Sequence, residues 1–143
     1  MANVNIIGTT GDSINMLISR RTYPQEQDKW DGNWLNTQIK IKVGSFSGKT
    51  DALLRSDEFE QLSKAIEQFL YKKVESVTFS PMEPWICFRA TKNRKQNIEF
   101  AGEVTDRLGT GNILKFQLEL SLPDLKKILE EINAVLHDFP VKQ

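Results

Sequence analysis

The segment from Trp34 to Val43, WLNTQIKIKV, constrains the fold more than any other. Leu35, Thr37, Ile39, Ile41 and Val43 alternate with Asn36, Gln38, Lys40 and Lys42. Successive side chains of a strand point to opposite faces, so this period of two predicts a strand with one apolar and one polar face. Gly44-Ser45 makes a short turn into a second strand from Phe46 to Leu54, and the two read as a hairpin. By the same alternation Trp34 falls on the polar face, with Asn36, Gln38 and Lys40.

The rest of the chain extends this pattern. Val4 to Ile7 is a short apolar segment ending at Gly8, and Ile14 to Tyr23 alternates before Tyr23-Pro24 and QEQDK break it. Ser56 opens a helix: its hydroxyl is placed to cap free backbone N–H groups, and Asp57 and Glu58 suit the positive helix end. Phe59, Leu62, Ile66, Phe69 and Leu70 form its stripe, and Lys72 and Lys73 close it. Val77 and Phe79, Trp85 to Thr91, Ile98 to Val104 and Leu114 to Leu120 read as four more strands. DRLGTGN is a hairpin turn, because it joins strand to strand and leads into no helix. Ser121 with Asp124 resembles a capping box, and Pro123 suits the first turn of a last helix striped by Leu125, Ile128, Leu129, Ile132, Val135 and Leu136.

The expectation is an α+β domain: a largely antiparallel, curved sheet of about eight strands with two helices on one face. A chain of 143 residues fits one domain, spanning 1–143, with two β-rich halves (about 1–73 and 74–143) each ending in a helix. GNWLNTQIKIKV from Gly32 aligns without gaps on GNILKFQLELSL from Gly111. Two strands sharing a turn by chance explain this echo slightly better than duplication.

Charge excludes little and recommends less. Lys+Arg and Asp+Glu are both 19, and residues 1–75 hold ten of each sign. No overall field draws the chain to nucleic acid or an anionic membrane, and only folding can assemble a local patch. One cysteine, Cys87, forms no intramolecular disulfide, which fits a reducing compartment. The start, MANVNIIGTTGD, lacks the basic and apolar regions of a signal peptide, so a cytoplasmic location is expected.

Catalytic chemistry finds few carriers. Cys87 lies in a strand and the single histidine, His137, near the end of the last helix. A nucleophile needs a base beside it, and a buried thiol is the better reading of Cys87. No His/Cys/Asp/Glu grouping has zinc spacing, and nothing asks for a cofactor. KNRK, Lys92 to Lys95, reads as a solvated loop.

The tryptophans are the candidates for a binding surface. Trp30 and Trp34 bracket Asp31-Gly32-Asn33, and Trp85 opens a strand that points Cys87 and Arg89 away from the core. The helix-free face then presents Trp34 and Trp85 as anchors, with Asp31, Asn33 and Arg89 as polar contacts; Trp30 is a further candidate whose place the alternation does not fix. The competing and preferred reading buries these indoles in a second small core or uses them to clamp loops.

WDGNWL, FSG at Phe46, SDEF at Ser56, FSPMEPWI at Phe79 and GTGNILKFQLEL at Gly109 together resemble the WapI-type immunity proteins, small bacterial proteins, over about Asp28 to Leu136. The resemblance implies a non-enzymatic protein that neutralises a partner toxin from a contact-dependent system by occlusion. It implies a protein partner; the charge balance and the absence of ligand motifs add the expectation of no direct nucleic-acid or membrane contact and no cofactor or metal. Two other classes stay open: a self-associating structural module, which sedimentation would reveal as a homodimer, and a small-ligand binder built on a pocket at Cys87.

Overall fold

The computed structural model describes residues 1–71 and 74–143; Lys72 and Lys73, expected to close the first helix, lie outside them. The first half runs β1 (Ala2–Ile7), β2 (Ser13–Arg21), a one-turn 3-10 helix (Asp31–Asn33), β3 (Trp34–Val43), β4 (Phe46–Arg55) and α1 (Ser56–Tyr71). The second runs β5 (Ser76–Phe79), β6 (Ile86–Lys92), β7 (Ile98–Thr105), β8 (Ile113–Leu120) and α2 (Leu122–Asp138).

The fold is α+β and its eight strands are antiparallel, but they form two four-stranded sheets, β1-β2-β3-β4 and β5-β6-β7-β8, where the alternation predicts one curved sheet. The reason is local. After β4 the chain enters α1, so β5 starts a new meander instead of extending the first. The two sheets are not closed. The sequence echo matches β3, third in its sheet, with β8, fourth in its own, so it does not superpose equivalent strands.

One apolar core is shared by both sheets and both helices. Ile14, Met16, Leu35 and Ile39 face it from the first sheet, Phe88, Phe100 and Leu118 from the second, and Phe59, Ile66, Ile128 and Ile132 from the helices. α2 packs on β1 and on α1, and α1 on β5. A row of rings, Phe59, Phe79, Phe88, Phe100 and Phe116, runs through it with neighbouring centroids 4.4–6.2 Å apart. Gly102 lies between Phe88 and Phe116 in the ladder, and a Cβ there would overlap the Cys87 carbonyl oxygen.

Helix starts divide. At α2 the Ser121 hydroxyl accepts from the Asp124 N–H and the Asp124 carboxylate from the Ser121 N–H, the predicted capping box. At α1 the expected cap is corrected. The Ser56 hydroxyl is buried without a partner among the described residues. Glu58 reaches back instead, accepting from the Arg55 N–H at 2.9 Å. Its other oxygen accepts from the Met82 N–H at 2.6 Å, so the same carboxylate pins the loop before β6.

Candidate functional site

The WDGNW stretch owes its shape to a residue outside it. The Gly44-Ser45 turn, with Gly44 at φ +57°, pairs Val43 with Phe46, and counting back along the hairpin places Arg55 opposite Trp34. Both therefore sit on the outward face. Yet Arg55 is 1% exposed. Its guanidinium lies between the rings of Trp30 and Trp34, 5.1 and 4.9 Å from their centroids. Its N–H groups donate to the carbonyls of Trp30 (2.8 Å) and Lys29 (2.7 Å) and to Asp57 (3.0 Å). Stacking and charge-assisted hydrogen bonds together make this burial tolerable.

The loop beneath is locked from the C-terminus. Asn33 is fully buried. Its amide donates to the carbonyls of Lys29 and Lys142 and accepts from the Lys142 N–H at 2.8 Å. Arg21 donates to the Gly32 and Pro140 carbonyls, and the Lys142 ammonium to that of Glu26. A Cβ at Gly32 would sit 2.8 Å from the Glu26 oxygen, so glycine is required for this close approach. Asp28 accepts from the N–H groups of Trp30 and Asp31, and these bonds hold its carboxyl below the usual range.

The candidates thus separate. Trp30 (59% exposed) and Asp31 are on the surface, and Trp34 is half-buried beside them. Asn33 is fully buried, its amide engaged by Lys29 and Lys142. Trp85 is half-buried, its indole N–H donating to Glu83 at 3.3 Å. It lines a shallow depression of about 650 Å³ with Leu17, Asn36, Gln38, Asp51 and Leu53 from the first sheet's outward face. Arg89 is elsewhere, on the second sheet beside Val74, Glu75 and Thr91. The clamping of a loop and the exposure of an indole are both realised, in the same motif.

Sequence reasoning missed Arg55 and Glu58. Burial pushes the Glu58 carboxyl up despite its two backbone donors. Burial likewise pushes the Cys87 thiol up, with Glu103 adding to it, which disfavours the thiolate. His137 sits in the last turn of α2 beside Asp138, as expected. GTGN belongs to the β7–β8 hairpin turn, held by Asp106 accepting from the Asn112 N–H. The described residues hold no cluster of three His, Cys, Asp or Glu suited to a metal. No described helix is long and apolar enough to cross a membrane.

Fold and site define a two-sheet α+β protein with open polar sheet faces and a tryptophan–arginine clamp. The chain belongs to the WapI-like immunity protein family, whose sequence profile matches residues 5–140. That family implies a toxin-neutralising, protein-binding role and is generally non-catalytic. No curated protein matches the chain. Among solved structures, a chain from "Crystal structures of trypanosoma bruciei MRP1/MRP2" is similar at 11% identity, covering 96% of this chain and 82% of that one, with a TM-score of 0.49.

Proposed function

We propose that this is a non-enzymatic, cytoplasmic immunity protein that occludes a toxin domain with the outward face of its first sheet. The observation that carries this is Trp30, an exposed indole backed by Arg55 in a loop that the C-terminal tail ties down at Asn33. A large side chain held rigid before binding loses little entropy on association, and tryptophan is enriched among binding anchors. Asp31 and the visible edge of Trp34 extend this anchor, and the Trp85 depression continues it along β2–β4. Arg89, on the other sheet, is outside the proposed surface.

The test is to look for a toxin C-terminal domain in the adjacent reading frame and to co-express it with this protein. The protein should restore growth and co-purify with the toxin, and Trp30→Ala should weaken the complex by about 2 kcal/mol. Persistent growth arrest with no complex would sink the reading.

A further inference from the structure

Sheet one ends in a free edge. Beyond its ladder with β3, no backbone hydrogen bond reaches Phe46–Thr50 among the described residues. Beside this edge the two sheets part and leave a notch of about 430 Å³. Its floor is made of residues with core parity, Ile41, Gly48, Val104 and Leu114, and its rim carries Phe46 (69% exposed) and Ile113 (58% exposed). The apolar core is therefore open at this corner.

The opposite side of the same edge is basic. Lys40 and Lys49 are direct cross-strand neighbours, and Lys42 is next on the same face. All three are exposed, and none makes an ion pair among the described residues. Like charges placed opposite one another destabilise a sheet, so an acidic group laid over them would relieve a repulsion. These lysines are the local patch that a neutral chain's composition conceals.

We infer that the edge of β4 receives an extended segment of the partner protein as an added strand, with apolar and acidic residues alternating along that segment. This rests on the protein-partner reading above. A strand paired to β4 points alternate side chains to the two sides of the sheet. One set fills the notch beside Phe46 and Ile113. The other lies over the lysines, where carboxylates meet uncompensated positive charge. A second copy of this chain fits badly, because edge-to-edge pairing brings lysine rows together.

The test is an NMR titration of the protein with a capped octapeptide alternating valine and glutamate, its valine–lysine counterpart, and a thymidine octanucleotide. Amide shifts should move at Phe46–Asp51 and Ile113–Lys115. The glutamate peptide should bind about tenfold more tightly than the lysine peptide, with the preference reversed in K40E/K49E. Both substitutions are on exposed side chains, and the variant's own spectrum verifies its fold. Four results would overturn the inference: no shifts at this edge, affinity blind to peptide charge, tighter binding of the oligonucleotide at the same residues, or dilution-dependent shifts at 46–51 in the protein alone. The peptides need no toxin, so a failed rescue experiment and a failed edge are told apart.

Discussion

Arg55 holds the WDGNW loop by three kinds of contact at once: stacked indoles, two carbonyls and one carboxylate. Lysine is a point charge that cannot reproduce a planar fork between two rings. Arg55→Lys should therefore lower stability by roughly 2 kcal/mol in urea unfolding and leave Trp30 more open to acrylamide quenching. Trp34→Ala should destabilise more than Trp30→Ala, because Trp34 is the more buried wall of the clamp. Equal stability of the two variants would contradict this. Glu58 gives a pH dependence with a defined sign. Its folded carboxyl lies above the ordinary 4.5, so the native state keeps a proton that the unfolded chain releases. The stability tied to that proton is fully present below 4.5 and is lost as pH rises through the raised value. The stability margin of the wild type over Glu58→Gln should be larger near about pH 4 than near about pH 7. At this scale the alternation correctly sends Trp34 outward. Arg55 was legible only by counting back from the Gly44-Ser45 turn, because a strand-end arginine otherwise reads as solvated.

At the scale of elements, the C-terminal segment Phe139–Lys142 acts as a strap. Asn33, Arg21 and Lys142 tie it to the loop between β2 and β3 through hydrogen bonds spanning more than a hundred residues of sequence. Truncation after Asp138 removes both Lys142 partners of the buried Asn33 amide and leaves it only the Lys29 carbonyl. It should cost about 1–3 kcal/mol and raise amide exchange in residues 28–33. Unchanged exchange there would show that the strap is idle. Gly102→Ala should destabilise by several times a typical surface substitution, since the Cys87 carbonyl oxygen and the Phe88 Cα and Cβ leave no room for a Cβ. The strands and helices themselves were legible because each has a clean period of two or 3.6. The strap was not, since no local pattern reports a contact between Asn33 and Lys142. Nor was the start of α1 legible in its true form: serine before two acids is a good cap by propensity, but the bonds are made by Glu58, to the Arg55 and Met82 N–H groups.

For the whole molecule, the division into two sheets sets what is available for binding. Both helices and one face of each sheet are committed to the shared core. The outward face of the first sheet is left with the tryptophan clamp at one end, the Trp85 depression along it and the lysines and free β4 edge at the other. The alternation of WLNTQIKIKV reveals that such a face exists. It cannot reveal that the strands split into two sheets, nor that Arg89 is carried off on the second. The most direct measurement is hydrogen–deuterium exchange of this protein alone and with the toxin domain that the co-expression test identifies. Protection gained across Trp30–Val43, Phe46–Arg55 and Glu83–Trp85, with the second sheet unchanged outside Ile113–Lys115, is the predicted result. Protection confined to β6–β8 or α2 would contradict the assignment of the first sheet as the binding face.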